Sequence, residues 1–221
     1  MSARILSNTP TSGEFSEYYF GEHFRQTIWV EFVDNEYKKW AGCFDCDDIN
    51  GLNEVLVDKE NKVAFVVSGG VGYLIDIEKR ELKYKNEEYS LIESAILTTS
   101  PDYFIAGTYD CIYVFDNEKL VEKVSASELV DGIYFKCQVG RKVVGNLASI
   151  ENQFEFNFDF EFNLDTFELT ICRCLIQKYN DAAKMAKLAE ECLETKQSIF
   201  GRLTVKIIKG ALLTDAARSI Y

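Results

Sequence analysis

His23 is the chain's one histidine. Histidine is the side chain used most often for proton transfer. Nothing near His23 has the spacing of a Ser-His-Asp or Cys-His constellation, so it reads as a loop histidine near the N-terminus. Cys43-Phe-Asp-Cys46 is a CxxC, and Cys172-Arg-Cys174 is the other close pair. Zinc would need both pairs to converge on four ligands. A redox CxxC opens a helix whose dipole lowers the thiol pKa, whereas this one ends a predicted β-hairpin, so structural cysteines are the simpler reading. Ser68-Gly-Gly-Val-Gly72 resembles a phosphate loop only superficially, because Tyr73-Leu-Ile-Asp76 continues as a strand and not as a helix. Its glycines fit a tight hairpin turn. Asp45, Asp47, Asp48 and Asn50 lack the distal glutamate of a calcium loop and read as a solvated acidic loop. Glu155, Asp159 and Glu161 are carboxylates of one strand face, but catalytic carboxylate pairs are spatial, so spacing singles out none. The sequence therefore predicts no enzyme, no metal and no cofactor.

The elements that would carry these residues are mostly strands. Thr27 to Val33 and Tyr37 to Phe44 form a hairpin around Asp34-Asn35, after an irregular lead-in over residues 1–22. Next comes an internal repeat. Lys62 to Leu82 and Asp102 to Leu120 share an apolar strand, a turn, an aromatic-bearing strand and an Asp turn; Tyr73 aligns with Tyr113 and Asp76 with Asp116, an offset of 40. Glu54 to Val57 and Ile92 to Leu97 supply a further strand before each unit. A looser third copy runs from Gly132 to Leu169, with Asp165-Thr166-Phe167 at the Asp-turn position. From Phe154 to Leu164 apolar residues alternate with Glu155, Asn157, Asp159, Glu161 and Asn163, which places every phenylalanine on one face of an antiparallel strand. The period changes after residue 174, where Ile176, Tyr179, Ala183, Ala186, Ala189 and Leu193 follow helical spacing. The expected architecture is mainly β over residues 1–174, either propeller-like or a curved meander, with a helical segment over 175–221 packed on it.

Composition limits the partners. Aromatic residues are 14% of the chain and apolar residues 47%, enough for a real core. The formal net charge is −12. Residues 1–174 carry 31 Asp and Glu against 16 Lys and Arg, while residues 175–221 carry 5 against 8. An acidic body repels nucleic acid and anionic lipid and steers basic partners. The start of the chain lacks the pattern of an export signal, no apolar run is long enough to cross a bilayer, and seven scattered cysteines read as reduced thiols. These features point to a cytoplasmic protein.

Trp40-Ala-Gly-Cys-Phe44, Ala64 to Asp76, Pro101-Asp102, Asp131-Gly-Ile133, Gly145 and Phe162 to Thr166 resemble small bacterial β-rich proteins similar to the immunity proteins of contact-dependent and other polymorphic toxin systems. The resemblance covers roughly residues 27–170 and rests on turn and strand residues. It implies a non-catalytic protein that neutralises a cognate basic toxin domain, for instance a nuclease, by covering its working surface. Asp45, Asp47, Asp48, Glu155, Asp159 and Glu161 are the expected contact residues. The alternative is a β-repeat scaffold or sensor module in another assembly, docked through the segment 175–221.

Overall fold

The structure is a computed structural model. It describes residues 1–172 apart from 12, 23–25, 49, 87–90, 101, 127–129 and 150–155, and only the backbone of Ser149, Phe156, Asn157 and Cys172. His23, Glu155, Cys174 and the helices expected over 175–221 lie outside the described residues.

All regular structure among the described residues is β, in four four-stranded sheets. The first holds β1 (Ser2–Ile5), β2 (Ser16–Phe20), β3 (Thr27–Val33) and β4 (Lys39–Asp45), in the order β1-β3-β4-β2. The second is the meander β5 (Glu54–Asp58), β6 (Val63–Ser68), β7 (Val71–Asp76) and β8 (Glu81–Lys85). The third is β9 (Ser94–Leu97), β10 (Phe104–Gly107), β11 (Cys111–Phe115) and β12 (Leu120–Ser125). The fourth is β13 (Val130–Val139), β14 (Lys142–Ser149), β15 (Phe156–Asn163) and β16 (Leu169–Cys172). The repeat therefore predicts the second and third sheets, and the looser copy is the fourth.

Two expectations are corrected. Residues 1–22 are not an irregular lead-in: β1 pairs antiparallel with β3, and β2 pairs parallel with β4, so the first sheet is mixed. The physical reason lies in β2. Phe20 and Tyr18 reach the core beside Trp40, while Tyr19 packs its ring edge-on to Trp29 on the opposite face. The second correction concerns the last turn. Its acceptor is Asn163, whose side-chain oxygen takes the N–H groups of Asp165 and Thr166; Asp165 instead faces Arg141 in an ion pair.

Alternation explains how the sheets pack in series. On β6, Ala64 and Val66 enter the core shared with the first sheet, while Val63, Phe65 and Val67 enter the core shared with the third. On β10 and β11, Phe104, Ala106, Tyr113 and Phe115 face the second sheet, and Ile105, Ile112 and Val114 face the fourth. Each inner strand is thus buried on both sides, and its sequence reads as a continuous apolar run. The phenylalanine face of β15 behaves as its period predicts: Phe160 and Phe162 are buried in the core between the third and fourth sheets, and Phe158 packs against it. The leading strands lie side by side, β1 against β5, β5 against β9 and β9 against β13.

Glu31 on β3 is 5% exposed. It accepts a hydrogen bond from Arg4 at 2.8 Å and one from Lys39 at 3.2 Å. The Arg4 hydrogen bond holds its carboxyl below the ordinary glutamate range against the opposing effect of burial, and Lys39 adds to the lowering. A folded pKa below the unfolded one of about 4.3 gives stability that is present above that pH and lost as pH falls through the folded value. Glu31→Gln is expected to lower the urea midpoint at pH 7, and the gap from the parent chain should narrow at pH 3. An equal gap at both pH values contradicts this account.

Candidate functional site

The hairpin geometry gives the sheets two chemically different ends. One end, the turn end, carries the turns β3–β4, β5–β6, β7–β8, β9–β10, β11–β12, β13–β14 and β15–β16. The other, the connection end, carries the links from one sheet to the next, the β2–β3 link, and the hairpin turns β6–β7 and β10–β11.

Many acidic side chains at the turn end are engaged in turns or ion pairs, whereas Glu60 and Glu81 there form no ion pair with a described residue. Asp34, Asp58, Asp76 and Asp116 each accept backbone N–H groups two to four residues ahead, closing the turns. Lysines and arginines pair with the neighbouring acids: Lys62 with Glu78, Arg80 with Asp34, Lys79 with Asp76, Lys83 with Glu118 and Arg141 with Asp165.

The connection end is different. Its described links and hairpin turns contain no Lys or Arg. Glu22, Asp47, Asp48, Glu93, Asp110 and Asp131 gather there, and none of the six forms an ion pair with a described residue. Hydrogen bonds from link to turn tie this end together. Asp48 N–H donates to the Gly69 carbonyl, Gly70 to Leu52, Ile92 to Gly70, Glu93 to Gly107, Ile133 to Thr108 and Ala126 to Asp110.

The loop 45–53 is built on the β6–β7 turn. Gly69 and Gly70 have φ of +55° and +83°, as the two-residue hairpin requires. A Cβ on Gly69 would stand 2.2 Å from Cys46 Sγ and 2.5 Å from the Asp48 carbonyl oxygen, so only glycine lets the acidic loop lie this close. Asp48 Oδ1 accepts Asn50 N–H, Asp45 Oδ2 accepts Glu22 N–H at 2.6 Å, and the Cys46 thiol donates to the Asp48 carbonyl. Between the first two sheets opens a cleft of about 630 Å3, with Gln26, Asp45, Cys46 and Asp47 on one side and Val71, Tyr73 and Lys85 on the other. The Tyr73 hydroxyl donates to the Asp45 carbonyl at 3.1 Å, and the Lys85 ammonium lies 5.8 Å from the centre of the Tyr73 ring.

The phenol and the thiol that line this cleft are held in their neutral forms. Burial, then Asp45 and Asp47, pushes the Tyr73 hydroxyl far up, and burial with Asp48 and Asp47 pushes the Cys46 thiol up. A protonated thiol is a weak nucleophile and a weak metal ligand. Cys43 does not join it: Cys43 is buried with Trp29 and Ala41 on the opposite face of the first sheet. Among the described residues no group of three His, Cys, Asp or Glu is placed to hold a metal ion. Further along the same end, Tyr134 is pushed up to about 12 by burial and then by its hydrogen bond to Glu93.

The expected contact residues therefore divide. Asp45, Asp47 and Asp48 come together at the connection end. Asp159 and Glu161 sit on the polar face of the fourth sheet, where Asp159 pairs with Lys136 and accepts from Asn146, and Glu161 pairs with Lys142. Glu22, Glu93, Asp110 and Asp131 were not singled out by the sequence. Strand parity was the available signal, because links that join successive meanders emerge at one end.

No protein-family model matches this chain, and no curated protein matches it. Solved structures are similar in part. Hydrazine synthase of Kuenenia stuttgartiensis aligns over 57% of this chain and 36% of its own, at 13% identity and a TM-score of 0.41. The extracellular domain of the putative one-component system BT4673 from B. thetaiotaomicron aligns over 70% of this chain and 23% of its own, at 14% identity and 0.39. The computationally designed protein Ika4 aligns over 77% of this chain and 98% of its own, at 11% identity and 0.33. The chain thus spans about a third and a quarter of the first two. Likeness at this level carries no argument for fold or function, which rest on the geometry above. No described helix is long and apolar enough to cross a membrane.

Proposed function

We propose that this chain is a protein-binding module whose connection end takes a basic protein, and that the partner is a bacterial toxin domain neutralised by occlusion of its working surface. The observation that carries this reading is the difference between the two ends: acids interleaved with lysines and arginines, many of them in turns and ion pairs, at one, and six acids with no cationic partner among the described residues at the other. A surface of one sign accelerates encounter with the opposite sign and disfavours partners of like charge. Occlusion needs no reacting group, in keeping with the neutral thiol and phenol in the cleft. The same reading takes the four serial sheets, with their leading strands side by side, as blade-like units of a propeller-like assembly.

The test is genetic and biochemical. The gene immediately upstream is expected to encode a large protein ending in a basic toxin domain. Co-expression of this chain should restore growth, and the two chains should co-purify at low salt and separate at high salt. An upstream neighbour without such a domain, or one whose toxicity this chain leaves unaltered, contradicts the toxin reading.

A further inference from the structure

The β10–β11 turn at the connection end holds one exposed aromatic side chain on a tightly bonded frame. Tyr109 is 47% exposed and forms no hydrogen bond or ring contact with a described residue. The backbone around it is tied down. The Gly107, Thr108 and Asp110 carbonyls accept the N–H groups of Glu93, Ile133 and Ala126 at 2.8, 3.0 and 2.7 Å, so the links on both sides are fastened to this turn. Thr108 is fully buried, and its hydroxyl accepts the Cys111 N–H at 3.1 Å. A Cβ on Gly107 would stand 2.5 Å from the Ile133 carbonyl oxygen, so the link into the fourth sheet lies directly on the turn. The repeat shows what is unusual here. At the offset of 40, Tyr109 stands where the second sheet has Gly69, and the loop 45–53 lies over Gly69. Tyr109 is not among the residues of positive φ, so the turn itself does not dictate which side chain stands there.

We propose that Tyr109 is the aromatic anchor of the binding surface, and that its ring stacks on an arginine side chain of the basic partner. The inference rests on the reading of the connection end as a protein-binding surface and deepens it by naming the residue that holds the partner after encounter. Tyrosine offers a large, stiff contact area at small entropic cost, and interface hot spots are enriched in it. The backbone beneath this ring is already ordered, so binding has little left to immobilise. Charge decides the occupant. Glu93 and Asp131 lie on the two links fastened to the turn, and neither forms an ion pair with a described residue. Their field favours a cation at the ring face. A guanidinium is planar and weakly hydrated, so it stacks there better than a lysine ammonium does. The acids then govern the rate of encounter, and the ring governs how long the partner stays.

Titration of the purified chain with a nona-arginine peptide and with a nona-lysine peptide, by calorimetry at low ionic strength, tests the anchor. Nona-arginine should bind more tightly than nona-lysine. Tyr109→Ala should weaken nona-arginine binding by about two- to fivefold, the worth of an exposed cation–π contact, and narrow the preference. Tyr109→Phe keeps the ring and should bind as the parent does. Tyr109→Leu keeps apolar bulk without the ring and should behave like the alanine variant. Tyr37→Ala removes a tyrosine that is 85% exposed at the turn end, and it should leave both affinities unchanged. None of these variants alters charge, so the acidic field stays in place. If Tyr109→Ala binds nona-arginine as the parent does, or Tyr37→Ala loses as much, the anchor is wrong, although binding by the parent chain still supports the acidic surface. If the parent chain binds neither peptide, both the anchor and the surface are overturned. Should Tyr109→Ala fail to fold, the comparison of Tyr109→Leu with Tyr109→Phe decides.

Discussion

Trp40→Ala is expected to lower stability by about 4 kcal/mol, the usual cost of removing a large aromatic from a closed core. Trp40 is fully buried between the first and second sheets. Its ring stacks on Phe32 with centroids 4.1 Å apart, meets Tyr18 edge-on at 5.4 Å, and contacts Phe20. Its indole N–H donates to the Ile77 carbonyl at 3.2 Å across the sheet boundary. Alanine removes the contacts and leaves that carbonyl without its partner, which adds a desolvation cost. For a chain of this size the thermal midpoint should fall by roughly 8–16 °C. Trp40→Phe should keep most of the packing but lose the hydrogen bond, and so lie between parent and alanine variant. A midpoint change of under about 3 °C for Trp40→Ala would show that the boundary between the two sheets is not a continuous core.

Reversing Asp47 and Asp131 to lysine is expected to slow association with a basic partner by about 10- to 100-fold at low salt. Both are exposed and at the connection end, and neither supports a turn or an ion pair among the described residues. Their removal therefore leaves the fold intact while changing the field by four charges. The effect should lie in the on-rate, because steering acts before contact, and it should shrink as salt shortens the screening length to ~10 Å or less.

Much of the fold was legible in particular residues. Tyr73 and Tyr113, aligned at an offset of 40, are both fully buried, and Asp76 and Asp116 both close turns through their side chains. Local spacing carries that information because the unit is a meander, with sequence neighbours pairing as sheet neighbours. β2 was not legible: it joins β4 in parallel across some twenty residues, and no local pattern encodes a long-range pairing. Asp165 was misassigned because Asn163 can make the same turn, and only the β15–β16 register chooses between them. The same limit divided the site. The loop 45–48 was legible as an acidic run. That Asp159 and Glu161 face Lys136 and Lys142 depends on pairing across β13, β14 and β15, which the order of residues along one strand does not reveal.

The central claim is that binding belongs to the connection end, and two variants of equal charge separate it from a general effect of acidity. Asp47→Lys/Asp131→Lys alters the connection end. Glu60→Lys/Glu81→Lys alters two exposed acids at the turn end. The association rate of each with a nona-arginine peptide, measured against ionic strength, is the decisive reading. The account predicts a drop of about tenfold or more for the first pair at low salt and less than about twofold for the second. Equal drops would mean that net charge alone governs binding, and a larger drop for the turn-end pair would place the surface at the opposite end.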